Sequence, residues 1–146
     1  MKKILSLFAA FMVSVSAVFA QADKVVGEYK CERNGIQSKI KVFKYEDGYR
    51  AQVFWVDNLK MEDGSTRLDP KNPDVSKRNT RADQIVLISK VKFNGKDSWD
   101  EGKIYDPTSG KVYSVTLSFK NDKTLKVRGY LGTPILGESM FWTKIK

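Results

Sequence analysis

From residue 24 onward, apolar and polar positions alternate in short runs separated by turn residues, the period-two pattern of strands that bury one face. Lys24 to Cys31 carries Val25, Val26 and Tyr29 and leads to Asn34-Gly35, the pair a tight hairpin favours because both turn residues take positive φ. Ile36 to Tyr45 follows, with Ile36, Ile40 and Val42 on one parity. Glu46-Asp47-Gly48 then turns the chain into Tyr49 to Val56, where Ala51, Val53 and Trp55 alternate with Arg50 and Gln52. Gln84 to Phe93 ends at Asn94-Gly95, and Trp99 to Tyr105 runs into Asp106-Pro107-Thr108-Ser109-Gly110, where Pro fixes a turn and Gly leaves it. Val112 to Phe119 is the most regular stretch: Tyr113, Val115, Leu117 and Phe119 oppose Ser114, Thr116 and Ser118. Asn121-Asp122 joins it to Thr124 to Leu131, and Glu138 to Ile145 is the eighth strand.

Short polar turns between successive strands imply antiparallel neighbours. Eight such strands hide their edges by closing, so the pattern predicts an all-β fold, a small eight-stranded antiparallel up-and-down barrel; an open sandwich is the alternative. At this strand number the interior is either filled by side chains or holds one small ligand.

One segment breaks the rhythm. Asn58 to Asp83 holds only Leu59, Met61, Leu68, Val75 and Ala82 as apolar residues and is too long for a plain hairpin loop. Asn72-Pro73-Asp74 has the signature of a helix start, with Asn as N-cap, Pro at the first position and a carboxylate at the positive end, which predicts a short helix over Pro73 to Asn79. In a barrel, this excursion caps or lines one mouth, or is a mobile surface loop.

The first twenty residues stand apart. Met1-Lys2-Lys3 precedes an uncharged apolar run, Ile4 to Phe19, of the length of a secretory signal. Residues 1–20 are therefore expected to be a signal peptide and 21–146 a single domain. Small residues permit cleavage before Gln21, which is preferred, or before Asp23. The expected location is the periplasm or the outside of the cell, and the processed chain is not expected to be an integral membrane protein. Its 24 cations against 17 anions keep a net charge of +7, which in an exported protein points to an anionic envelope partner or to solubility rather than to nucleic acid.

Composition removes whole classes of chemistry. With no His and one Cys among 146 residues, the usual general base, Ser-His and Cys-His nucleophiles, Cys-rich metal sites and an intrachain disulfide are all excluded. No metal or cofactor is implied, and no enzyme is expected. Acid-base work by Asp100, Glu101 or Asp106 would require burial to shift one of them. Cys31 is either a buried free thiol or one half of an intermolecular bridge.

The spaced residues of the C-terminal half, Trp99-x-x-Gly102-Lys103-Ile104-Tyr105-Asp106-Pro107-x-x-Gly110-Lys111-x-Tyr113, then Leu125-Lys126-Val127-Arg128-Gly129-Tyr130-Leu131-Gly132 and Gly137-x-x-x-x-Trp142, resemble the exported bacterial family known as domain of unknown function 2147. Asp69-x-Lys71-Asn72-Pro73-Asp74 resembles its middle motif, although Ser76 to Asp83 is more polar and lacks the expected Pro and Gly. The resemblance implies a small lipocalin-like barrel with no assigned catalytic residues. Gly27-Glu28-Tyr29 further resembles the lipocalin Gly-x-Trp entrance to the first strand, whose aromatic closes the barrel floor beneath a late-strand cation. Arg128 is the candidate for that cation, although Leu125, Val127 and Leu131 hold the apolar parity and place Arg128 on the other face.

Three functions follow. A non-catalytic binding protein would take a small apolar or amphipathic ligand against Trp55, Tyr113 and Phe119, with Arg128 nearby; the same aromatics are otherwise core. An envelope interaction module would use a basic face of Lys60, Arg67, Lys71, Asn72, Lys77, Arg78 and Arg81; the same cations are otherwise a solvated loop. A His-independent enzyme is the third.

Overall fold

The computed structural model describes residues 17–146; the apolar run read as an export signal lies, through residue 16, outside the described residues. Eight strands occur in chain order, β1 (Gly27–Arg33), β2 (Ile36–Tyr45), β3 (Gly48–Val56), β4 (Val86–Phe93), β5 (Ser98–Asp106), β6 (Lys111–Asn121), β7 (Thr124–Tyr130) and β8 (Gly137–Lys144). Each pairs antiparallel with the next, and β1 pairs with β8 through Tyr29↔Lys144 and Lys30↔Thr143, closing an up-and-down barrel. The sandwich alternative is excluded by this closure. Among the described residues no helix is long and apolar enough to cross a membrane.

Up-and-down order fixes the two ends. The turns after β2, β4 and β6 lie at one end, and those after β1, β3, β5 and β7 lie at the other. The first end is plugged. The chain enters as a helical segment over 17–22 and a 3₁₀ turn, Asp23–Val25, that fills the barrel bottom. Val25 is fully buried, the Tyr29 hydroxyl donates to its carbonyl at 2.7 Å, and the Trp99 indole donates to the Ala22 carbonyl at 2.9 Å. The Tyr49 hydroxyl donates to Asp23 at 2.6 Å, and with Lys44 it holds that carboxyl below the usual carboxylate range.

Above the plug the lower half of the barrel is solid. Tyr29, Val42, Ala51, Ile88, Val91, Trp99, Val115, Leu117 and Leu125 are buried there, with Phe93 and Phe119 packed beside them. Of the register shifts in the wall, two bear on the residues singled out above. On β5, Trp99 pairs with Leu117 and Gly102 with Val115, so Asp100 and Glu101 face one partner residue and Glu101 takes a φ of 60°. On β3, Lys39 pairs with Trp55 but Ile40 with Val53, leaving Phe54 unpaired and reversing the parity of the strand's last residues.

Three expectations are corrected here. Trp55 does not line the interior: the Phe54 bulge turns it outward, where the Lys39 ammonium lies 5.1 Å from its ring centre. Phe119 belongs to the floor, edge-on to Trp99 at 5.8 Å with Lys24 4.6 Å from its ring. The cation over Tyr29 is Lys144 of β8, 6.0 Å from that ring and 5.9 Å from Phe119, with its ammonium donating to the Lys24 carbonyl at 2.8 Å. Arg128 faces outward, as its parity required, and bonds elsewhere.

Candidate functional site

A cavity of about 1520 Å³ opens at the end opposite the plug. Its base is apolar and is the upper surface of the packed core, formed by side chains of five strands: Ile40 of β2, Val53 of β3, Ile104 of β5, Val127 of β7 and Trp142 of β8, all buried, and the half-buried Met140 of β8. Ser38, Tyr113, Ser139 and the Cys31 thiol add small polar groups. Cys31 is a free thiol, and burial raises its pKa.

The mouth has a different chemistry. Arg33, Arg67, Lys71 and Arg78 line it together with Asp106 and Glu138, four cations against two carboxylates. Arg33 pairs with Asp106 at 3.4 Å, while Asp106 also accepts from the Thr108 amide at 3.0 Å and the Ser109 hydroxyl at 2.8 Å. Arg67 and Arg78 are anchored through Nε to the carbonyls of Asn58 at 3.1 Å and Asn72 at 2.8 Å, and the Lys71 ammonium donates to the Thr108 carbonyl at 2.7 Å. An apolar chamber beneath a ring of fixed cations suits a molecule with an apolar body and an anionic head.

The excursion between β3 and β4 builds most of this mouth, and it is folded. Ala82, Ile85 and Tyr105 form a second small core with Val56, Leu59 and Leu87. Asp69, 1% exposed, accepts from the Tyr105 hydroxyl at 2.6 Å and from the Asn72 amide at 2.9 Å. Burial and the adjacent carboxylates raise the Tyr105 pKa, which keeps the phenol a donor. The β5–β6 turn closes against the excursion at Gly110, where φ is +75° and a Cβ would stand 2.5 Å from the Lys71 carbonyl oxygen, so only glycine fits. Tyr105→Phe is expected to cost about 1–3 kcal/mol by leaving a buried carboxylate short of a donor. Urea unfolding measures that loss, and faster amide exchange confined to the excursion locates it.

The short helical turn expected within Pro73 to Asn79 is present as a single 3₁₀ turn, but its cap is corrected. Asn72 does not cap it: its Oδ1 accepts from the Asp74 amide at 2.9 Å, forming a turn around Pro73. Asp74 is the cap, accepting from the Ser76 amide of a single 3₁₀ turn, Val75–Lys77. A further 3₁₀ turn, Ala82–Gln84, leads into β4.

The predicted basic face is divided by this geometry. Of Lys71, Asn72, Lys77, Arg78 and Arg81, only Lys71 and Arg78 line the cavity. Arg81 is held by both oxygens of Asp83 at 3.1 and 2.9 Å, and Lys77 lies 3.9 Å from Asp74. Asn58 to Asp83 carries six cations but also five carboxylates, so the segment has little net charge to offer as a whole. Among the four predicted lining residues, Tyr113 is on the cavity wall, while Trp55, Phe119 and Arg128 are not. Arg128 instead props the β7–β8 loop, donating to Pro134 at 2.7 Å, Ile135 at 3.4 Å and Ser139 at 2.9 Å. Sequence reading missed Arg33 because it sits at a strand end beside a turn, where parity gives no direction. The three carboxylates considered for acid-base chemistry do not meet: Asp100 and Glu101 lie on the β5 bulge, and Asp106 ends the same strand at the mouth.

No curated protein matches the chain. Two solved structures match the chain. Protein HP1028 from the human pathogen Helicobacter pylori, described as belonging to the lipocalin family, is 23% identical over 84% of this chain and 83% of its own, with a TM-score of 0.68. As-p18, an extracellular fatty acid binding protein, is 14% identical over 86% of this chain and 99% of its own, with a TM-score of 0.47. The first likeness establishes a lipocalin-like barrel, in agreement with the closed strand order. A family model for uncharacterized proteins conserved in bacteria matches residues 27–144, nearly all of the barrel, and the chain therefore belongs to the family called domain of unknown function 2147.

Proposed function

We propose that this chain is an exported, non-catalytic binding protein that takes one small amphipathic molecule into the mouth end of its barrel. The apolar part would lie against Ile40, Val53, Val127 and Trp142, and an anionic head would meet Arg33, Arg67, Lys71 and Arg78. The observation that carries this reading is the difference between the two ends of the barrel: one is plugged, and the other holds a cavity with an apolar base and four cations among its lining residues. A barrel whose sole task was to hold its own shape would fill both ends, because empty apolar space forfeits packing contacts.

Anilinonaphthalene sulfonate, with apolar rings and one anionic group, tests the reading. Its fluorescence should rise on titration with the purified chain to a stoichiometry of one, and Arg33→Gln with Arg78→Gln should weaken binding and reduce its dependence on salt. An unchanged probe spectrum at saturating protein would refute it.

Export carries its own expected result. A chain processed before Gln21 keeps Ala22, whose carbonyl accepts from the buried Trp99 indole. Processing before Asp23 removes Ala22 and leaves that indole unpaired in the floor, at a cost of about 1–3 kcal/mol. N-terminal sequencing of the protein from its source should therefore begin at Gln21. An intact Met1 would contradict export.

A further inference from the structure

We propose that the mouth end of the barrel docks on an anionic lipid bilayer, so that the cavity opens directly onto the membrane surface. The two ends of the barrel differ sharply in chemistry. The plugged end presents the turns Glu46-Asp47, Asn94-Gly95-Lys96-Asp97 and Asp122-Lys123, with no apolar residue in any of them, and the exposed Val18 and Phe19 of its entering helical segment precede the proposed cleavage site. The mouth end carries the four most exposed large apolar side chains among the described residues: Ile135 at 86%, Leu136 at 74%, Val75 at 70% and Leu131 at 63%. Met61 and Leu68, also exposed, line the mouth with three of these four. Apolar side chains gathered at one end of a soluble barrel mark a surface made to be covered.

The display is built into the fold. Ile135 and Leu136 occupy a loop that closes on itself through Leu136 N to Thr133 O at 3.1 Å and Leu131 N to Leu136 O at 3.4 Å. Arg128 holds the same loop from below through the carbonyls of Pro134 and Ile135. This bracing fixes the loop that carries the two exposed apolar side chains at the rim of the cavity. Beside the tips stand Arg33, Arg67, Lys71 and Arg78, outnumbering the carboxylates of the cavity wall two to one. Apolar tips that enter the acyl boundary beside cations at headgroup level are the two components of interfacial binding to anionic lipid. A protein partner or a second copy would be served by the apolar tips alone, whereas the cation ring supplies charge complementarity to an anionic surface.

The inference rests on the binding reading only for its purpose, the exchange of an amphipathic ligand with lipid, and docking can be measured separately. The mature chain, residues 21–146, is mixed with vesicles of phosphatidylcholine alone or of equal phosphatidylcholine and phosphatidylglycerol, and sedimented. The wild-type chain should sediment with the anionic vesicles, less so at high salt and weakly with phosphatidylcholine. Ile135→Asp with Leu136→Asp should reduce this at least about tenfold, because it removes the inserted side chains and adds repelled charge. Both positions are exposed, so an unchanged circular dichroism spectrum and melting temperature will show that the double variant is folded. Equal sedimentation of the folded double variant, or none of the wild type, overturns docking. A wild-type dimer in gel filtration that the double variant dissociates, without vesicle binding, also overturns it in favour of self-association. Probe binding in solution without sedimentation removes this inference alone, while sedimentation without probe binding supports docking and removes the ligand reading.

Discussion

Gly129→Trp is expected to weaken binding of anilinonaphthalene sulfonate by about tenfold or more, roughly 1.4 kcal/mol, while leaving the melting temperature nearly unchanged. Gly129 lies on β7 two residues above Val127, with which it shares the inward parity, and it lines the cavity. A Cβ there would meet Ile104 Cγ2 at 3.6 Å, Tyr113 Cβ at 3.7 Å and the Ser114 carbonyl oxygen at 4.0 Å, all ordinary contacts. The indole then has only the cavity to occupy. Gly102 makes the contrast, because a Cβ at that position would stand 2.5 Å from the Lys90 carbonyl oxygen and force the β4–β5 wall apart. Substitution at Gly129 therefore separates occupancy of the cavity from integrity of the barrel. Undiminished probe binding by the folded variant would place the probe outside the barrel.

Val115→Asp is expected to lower stability by about 3–5 kcal/mol, because it puts a carboxyl without a partner into the filled half. Val115 is fully buried, opposite Gly102 on one side and Gly129 on the other. Thr116→Asp, one residue along and on the other face, pairs across the strands with Arg128 and should change stability by less than about 0.5 kcal/mol. Urea denaturation of the two variants measures the difference. Equal damage from both would mean that the faces of β6 are assigned wrongly.

The strands were legible because one face of each had to be apolar, and a period of two survives any choice of residue within that class. Hence Ile36–Tyr45 was placed to the residue, and Lys111–Asn121 and Thr124–Tyr130 to within two. The errors fall where a local device interrupts the period. Trp55 was assigned inward by simple alternation, and the bulge at Phe54 reversed it, a feature with no mark in the sequence other than the alternation it breaks. The first strand begins three residues later than expected because Val25 is apolar for a different reason, as the tip of the floor plug rather than as part of β1. The turn at Asn72-Pro73-Asp74 was recognised, but Asn and Asp are both good caps, and only the geometry assigns the cap to Asp74.

Site residues were harder to read because most belong to the mouth, where strands end and parity loses its meaning. Arg33, Arg67 and Arg78 converge from β1 and from two turns of the excursion, separated by 34 and 11 residues of chain, and no local pattern announces that they meet. Asp69 and Tyr105, 36 residues apart, fix the excursion that brings them together. The cation over the floor aromatics was expected from the lipocalin pattern, but Arg128 and Lys144 both stand on late strands. Only Lys144 has its ammonium turned beneath the barrel.

The central claim is that the mouth end of this barrel is a chamber for a small amphipathic molecule, and native mass spectrometry of the protein purified without denaturant from its source cells tests it most directly. The account predicts a species heavier than the polypeptide by one small molecule, released on denaturation and missing from the Gly129→Trp variant. A protein that flies only at its bare polypeptide mass, and that takes up no amphipathic anion when one is supplied, would contradict it.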